Sequence, residues 1–310
     1  MKKAWEVHIS VEKGKRKILS LNDVRKSYKN NEVLKGLSFD IYEGDIYGFI
    51  GPNGAGKTTT IKLITGLTTL SDGEIQVSKD KDFLIGLVLD QNCLYSNLSA
   101  KDNLSFYLRM TGDNSEKTID YYLDLVGLSE VKNVLVGRFS KGMKRRLVLA
   151  RTLAINPNLL ILDEPLDGLD VASQTIMINL LKEWVTKGNR SILYTSHDMT
   201  EVENICNRIG FIRDGKMLLE KETKSLLKYN MDYLRVVPRE GETALSDWLN
   251  NRNLAYEKYD DEFRLKVKEE DTDAVLDYLY REGVSLSEFN KVYSKLADLY
   301  VRIYADEKDN

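Results

Sequence analysis

The chain has 310 residues, 45 of them basic and 48 acidic, for a formal net charge of −3, a length that suits about two domains of roughly 150 residues each. The near-cancelling charge gives no bulk attraction for nucleic acid or an acidic polymer, and none is expected as a partner. No run approaches the roughly 18 consecutive apolar residues of a membrane span, and the start Met1-Lys2-Lys3-Ala4-Trp5-Glu6 lacks a signal peptide's apolar stretch, so a soluble, cytosolic protein is expected.

In chain order, a strand pattern over Trp5 to Val11 is followed by Lys13-Gly14-Lys15-Arg16-Lys17, which reads as a solvated basic loop. The pattern then alternates in strand fashion through Ile18-Leu19-Ser20-Leu21, Leu37-Ser38-Phe39-Asp40-Ile41 and Ile46-Tyr47-Gly48-Phe49-Ile50, with turn residues at Asn30-Asn31 and Glu43-Gly44-Asp45. This predicts a small antiparallel sheet. Helical periodicity runs from Ala100 to about Leu128, and Leu159-Leu160-Ile161-Leu162 and Ser191-Ile192-Leu193-Tyr194-Thr195 read as buried parallel strands, so the core is α/β. Beyond about Lys228 the pattern restarts. Strand Tyr233 to Val237, helix Thr243 to Asn251, strands near Tyr256 and Phe263 to Val267, helix Thr272 to Glu282, a strand around Val284 to Phe289 and a helix from Val292 resemble a small ferredoxin-like α+β domain. The expected divisions are an extension over 1–17, a main domain over 18–228 and an accessory domain over 229–310. Cys93 and Cys206 lack metal-ligand spacing and read as small buried apolar residues.

The chemistry concentrates at Gly51-Pro52-Asn53-Gly54-Ala55-Gly56-Lys57-Thr58-Thr59, a G-x-x-x-x-G-K-T run between a strand and a helix pattern, built to hold a nucleoside triphosphate. Gly51, Gly54 and Gly56 let backbone N–H groups turn inward, with Asn53, Ala55 and Thr59 completing the cradle at a helix N-terminus. Lys57 adds a point charge for the β- and γ-phosphates, and the Thr58 hydroxyl is placed to ligate Mg²⁺. Farther on, an apolar strand ends in Leu162-Asp163-Glu164-Pro165. Because successive strand residues point to opposite sides, Asp163 is expected at the metal and Glu164 at the attacking water. Phe139-Ser140-Lys141-Gly142-Met143 opens a third helix: Ser140 is a good N-cap, and Gly142 lets a backbone approach an oxyanion closely. The cations Lys141, Lys144 and Arg145 oppose the helix dipole, which suggests that an anion is brought there.

Together these residues resemble the nucleotide-binding subunit of an ATP-binding cassette (ABC) transporter, over roughly residues 18 to 225. The resemblance implies a P-loop ABC cassette, a mixed sheet with an antiparallel β subdomain and a helical subdomain, that hydrolyses ATP with Mg²⁺. It places Tyr28 where an aromatic stacks on adenine, Gln91 where a glutamine touches Mg²⁺ or the water, and Asp170 of Asp167-Gly168-Leu169-Asp170 in the loop that crosses a dimer interface. His197 of Ser196-His197-Asp198 takes the position of the switch histidine at the γ-phosphate, and Ser140 and Gly142 that of the signature motif. Lys141 and Met143 depart from the Leu-Ser-Gly-Gly-Gln pattern, and the Ser-Lys-Gly-Met form resembles ATPases of the ABC-2 export type, which often carry a C-terminal appendage. The implied partners are a second cassette, identical or not, and a separate transmembrane permease at the cytoplasmic face of the membrane. The alternative, a soluble ABC ATPase not coupled to transport, is disfavoured in its chromosome form by the short distance in sequence between Lys57 and Ser140.

Overall fold

The alternating residues after Lys17 fold into a long antiparallel hairpin, β1 (Lys17–Tyr28) and β2 (Asn31–Tyr42), which β4 (Asp72–Val77) extends to the order β2-β1-β4. Leu19, Leu21, Val24, Leu37, Phe39 and Ile41 from this hairpin are buried, as period-2 alternation over a half-buried sheet requires. Mostly apolar strands, with the more polar β9 at one edge, build the central sheet instead: β3 (Ile46–Ile50), β5 (Ile85–Val88), β6 (Leu159–Asp163), β7 (Ser191–Thr195), β8 (Arg208–Arg213) and β9 (Lys216–Glu222), in the order β5-β6-β7-β3-β8-β9. All neighbours run parallel except β8 and β9. Helices α1 (Lys57–Ile64), α5 (Val171–Thr186) and α6 (Met199–Ile205) connect these strands, while α2 (Ala100–Met110), α3 (Glu116–Leu125) and α4 (Lys141–Ala154) pack on one another as a helical subdomain.

The computed structural model describes residues 15–89, 94–110, 112, 115–228, 231–239, 242–252, 254–268, 271–293 and 295–305. The strand expected over Trp5 to Val11 and the residues Gln91 and Cys93 lie outside these. The chain divides into two compact units, Met1–Glu222 and Thr223–Asn310.

The second unit opens with α7 (Thr223–Lys228) and continues β10 (Met231–Pro238), α8 (Glu242–Asn251), β11 (Tyr256–Tyr259), β12 (Glu262–Leu265), α9 (Thr272–Arg281), β13 (Leu286–Tyr293) and α10 (Leu296–Ala305). Its strands form one antiparallel sheet in the order β11-β12-β10-β13. Leu234, Val236, Phe263 and Leu265 pack with Leu245, Leu249, Val275 and Leu279 of α8 and α9 in a core of its own. The alternate strand positions carry charge: Arg235 pairs with Glu262 at 2.7 Å and with Glu288, and Arg264 pairs with Glu262 at 2.6 Å.

The helical periodicity from Ala100 to about Leu128 is realised as two helices: α2 ends at Met110, Gly112 takes φ +86°, and Ser115 in extended conformation starts α3. One expectation needs correction. The last helix begins at Leu296, not Val292, because the ladder of β10 and β13 runs on to Met231 opposite Tyr293. The described part of the basic stretch, Lys15 to Lys17, is exposed and carries ion pairs: Arg16 pairs with Asp80, Lys17 with Asp40 at 2.7 Å, and Lys15 lies 3.9 Å from Asp45.

Asp45 belongs to a buried charge network under the central sheet. Arg208, at the start of β8, donates to both Asp45 and Glu220, and all three side chains are almost wholly buried. Burial pushes the Glu220 carboxyl up to about 7 against the pull of Arg208.

Candidate nucleotide-binding site

The β3–α1 connection is held by its glycines. A side chain at Gly51 would strike the carbonyl oxygen of Ile212 at 2.4 Å, and Gly56, at φ +110°, has no room for one beside Leu34. Gly54 takes φ +82°, a conformation that glycine adopts without cost. Ala55 is buried, and its carbonyl accepts from Gly215 at 3.1 Å, which fastens the loop to the β8–β9 turn. The Lys57 ammonium donates to the carbonyl oxygens of Gly51 at 2.6 Å and Pro52 at 3.2 Å. Burial lowers its pKa, partly offset by Glu164 and Asp163.

A cavity of about 490 Å³ opens here, lined by Asn31, Val33, Asn53, Gly54, Gly56, Lys57, Thr58, Thr59, Asp163 and Glu164. The carboxylates arrive because β6 lies two strands from β3, with β7 between them. Asp163 ends β6 opposite Thr195, whose hydroxyl donates to Asp163 Oδ1 at 2.6 Å. Glu164 leaves the strand altogether: its φ is +49°, and its N–H donates to the Thr195 carbonyl at 3.1 Å. The strand-alternation argument therefore fails at this residue, and both carboxylates line one cavity rather than opposite faces. His197 follows β7 with Nδ1 3.4 Å from Glu164 Oε1. Its loop is held by Glu201, which accepts from Ser196 Oγ at 2.7 Å and Tyr194 Oη at 3.1 Å, and by Asp198, which caps α6.

The donor set fits a magnesium-bound polyphosphate. One ammonium, a hydroxyl and a helix start without acidic residues in its first turn face two carboxylates across the cavity. Tyr28, 45% exposed, stands at the end of the hairpin, opposite Asn31 of the cavity lining in the β1–β2 register. The remaining predicted residues lie elsewhere. Ser140 caps α4, accepting from the Met143 N–H at 3.2 Å, and Gly142 seats Leu169, whose Cδ2 a side chain there would meet at 2.9 Å. Asp170 caps α5 through Ser173 at 2.9 Å and 2.8 Å, which holds its carboxyl below the usual range. Neither Ser140, Gly142 nor Asp170 lines the cavity. Of the cations of α4, Lys141 pairs with Asp167 at 2.8 Å, and the buried Arg145 donates to the carbonyls of Pro165 and Asp163.

Sequence reasoning missed Asn31, Val33 and Thr195, which are reached only through strand register, and took Arg145 for a helix-start cation rather than for a buried donor to the carbonyls of Asp163 and Pro165.

The ABC transporter family model matches residues 34–167. The uncharacterized ABC transporter ATP-binding protein YcbN of Bacillus subtilis (strain 168) is 33% identical over 296 residues, 92% of this chain and 96% of the relative. The chain belongs to the ABC transporter ATP-binding proteins. The bacitracin transport ATP-binding protein BcrA of Bacillus licheniformis is 38% identical over 70% of this chain and 74% of its own length. Among solved structures, the dimeric ATP-binding cassette MJ0796 in a post-hydrolysis state with ADP and Pi superimposes with a TM-score of 0.61, at 26% identity over 66% of this chain and 99% of that one. As an ABC ATPase, this protein is the ATP-hydrolysing subunit of an ABC transporter. Among the described residues no helix is long and apolar enough to cross a membrane.

Proposed function

We propose that this ABC ATPase binds Mg-ATP in the cavity between α1 and β6, and pairs head to tail with a second cassette to drive a separate transmembrane permease at the cytoplasmic face of the membrane. The observation that carries this is the convergence of Lys57, Thr58, Asp163 and Glu164 on one cavity, with His197 against Glu164. Gly51, Asn53, Gly54, Ala55, Gly56 and Thr59 shape the cradle, Lys57 orients the terminal phosphates, and Tyr28 stacks on the base. Thr58 and Asp163, with Gln91, would hold magnesium, which would supply charge neutralisation at the phosphate oxygens. Glu164 orients the attacking water and accepts its proton as the bond to the bridging oxygen breaks, and His197 holds the γ-phosphate from the other side. Ser140 and Gly142, away from the chain's own cavity, serve the nucleotide of the partner cassette, and Asp170 serves the crossing between the two.

Export as the direction is supported by the Ser140-Lys141-Gly142-Met143 form of the signature. The accessory domain, with residues 18–228 as cassette and 1–17 as an extension, is read as ferredoxin-like because its order βαββαβ and its strand sequence β13-β10-β12-β11 match that arrangement. It regulates or dimerises, since among the described residues nothing in it offers a phosphate loop or a metal cluster. The test is reconstitution with the permease encoded beside it, if one is: ATP turnover coupled to substrate movement, and a nucleotide-dependent doubling of mass with the Glu164→Gln protein. A stable monomer with Mg-ATP and every candidate partner cassette rejects the head-to-tail pairing.

A further inference from the structure

We propose that α4 is a bracket for Glu164, with the buried Arg145 as a positioning residue and Lys141 as its exposed strut. The inference rests on the reading of Glu164 as the water-orienting base. Glu164 has a left-handed backbone at φ +49°, a conformation that is costly for a non-glycine residue and persists only where the surroundings impose it. Arg145 supplies that constraint from both sides. Its Nη2 donates to the carbonyl of Asp163 at 3.1 Å and its Nε to the carbonyl of Pro165 at 2.8 Å, the residues immediately before and after Glu164. A planar guanidinium has the fixed fork of N–H groups needed to reach two carbonyls at once; an ammonium does not. With 1% of its surface exposed, Arg145 has no freedom to swing away.

One turn earlier, Lys141 reaches over the same segment. Its ammonium lies 2.8 Å from Asp167 Oδ2 and holds that carboxyl below its ordinary range. Gly168, at φ +76°, lies flat beneath the lysine chain, and a side chain there would sit 3.1 Å from Lys141 Cδ and Nζ. Gly142 in turn receives Leu169. The first two turns of α4 thus grip residues 163 to 169 at four places. The same N-terminus presents Ser140 and Gly142, so whatever α4 meets there is transmitted to Glu164 through a stiff helix. Lys141 stands where the Leu-Ser-Gly-Gly-Gln pattern has glycine, which could not form the strut.

In the full-length protein, Arg145→Lys keeps the charge and loses the fork. It should lower kcat about tenfold or more while the KM for ATP stays within about twofold, because the base is misplaced and the phosphate cradle is not. In a Glu164→Gln background the same substitution should remove no further turnover, which a general loss of stability would do. Lys141→Met, on an exposed side chain, should lower kcat about two- to fivefold, the scale of an exposed ion pair, and adding Asp167→Asn should cost nothing more. A folded Arg145→Lys protein with wild-type kcat overturns the proposal; if that variant does not fold, wild-type kcat in Lys141→Met does so. Glu164→Gln alone separates the two readings. Near-wild-type turnover there removes the role of Glu164 itself, whereas abolished turnover beside unaffected Arg145→Lys and Lys141→Met removes only the bracket.

Discussion

The two units of the molecule use charge in opposite ways, one on a mostly parallel sheet and the other on an antiparallel one. In the cassette, Lys57, Asp163, Glu164 and His197 all sit at or just past the carboxyl ends of the parallel strands β3, β6 and β7, where the chain turns and side chains point into a cavity. In the accessory domain, Arg235, Glu262, Arg264 and Glu288 stand within antiparallel strands and satisfy one another across the sheet. Where the strands end and the chain turns away, a charged group can face a cavity and its ligand; one within a strand finds its partner next door. Position along the strand, more than residue type, separates a site from a solvated face.

That contrast is broken or sharpened by a graded set of variants. The largest effect is expected at Glu164→Gln, which should lower ATP turnover by about 10²- to 10⁴-fold with nucleotide affinity retained in a fluorescence titration. Lys57→Ala should act on binding instead. Losing a charge-assisted contact weakens affinity by roughly tenfold or more, and equal ATP affinity in calorimetry would reject its phosphate role. In the accessory domain Phe263→Ala should cost about 3 to 5 kcal/mol of that unit's stability through the cavity it leaves. Calorimetry should then show a lowered transition for that unit alone, while ATP binding by the cassette persists.

A smaller effect concerns pH. Glu220 has a folded pKa raised to about 7, above the roughly 4.3 of an unfolded glutamate. Its contribution is therefore complete below about pH 4 and is lost as pH rises toward 7. Glu220→Gln should flatten that fall in chemical denaturation curves, and an unchanged slope would place the buried proton elsewhere. The smallest effect is expected at Arg264→Ala, within about 1 kcal/mol for a partly exposed pair and without change in ATPase rate. A large loss of activity there would mean that the open sheet face contributes to the site after all.

What the sequence discloses follows the same division. The phosphate loop is legible because a contiguous motif dictates its own backbone: glycines at fixed offsets, then Lys57 and Thr58 on the first turn of α1. The elements of the accessory domain are legible from periodicity, since its strands bury one side only. Illegible were the links that depend on register or on a single backbone angle. Thr195 meets Asp163 across 32 residues, Arg145 reaches Pro165 across 20, and no periodicity announces that Glu164 turns left-handed. The ion pairs of the basic stretch were illegible for a related reason: the carboxylates that answer Arg16 and Lys17 come from Asp80 and Asp40 on later segments.

The strand order β6-β7-β3 has a mechanical consequence. The pairings Leu160 to Ile192, Ile161 to Leu193 and Ile46 to Ile192 weld the bases of Glu164, His197 and the phosphate loop into one hydrogen-bonded tile whose interior side chains are fully buried. Such a tile is too stiff to open internally on the timescale of turnover. Work must be exported by moving the tile as a whole, and the turn after β6, tied to α4 by Arg145 and Lys141, moves with that helix. Hydrogen exchange should read this directly, with the amides of Leu160 to Leu162 and Leu193 to Tyr194 among the slowest in the protein, and those of Leu166 to Leu169 exchanging faster in Lys141→Met than in the wild type.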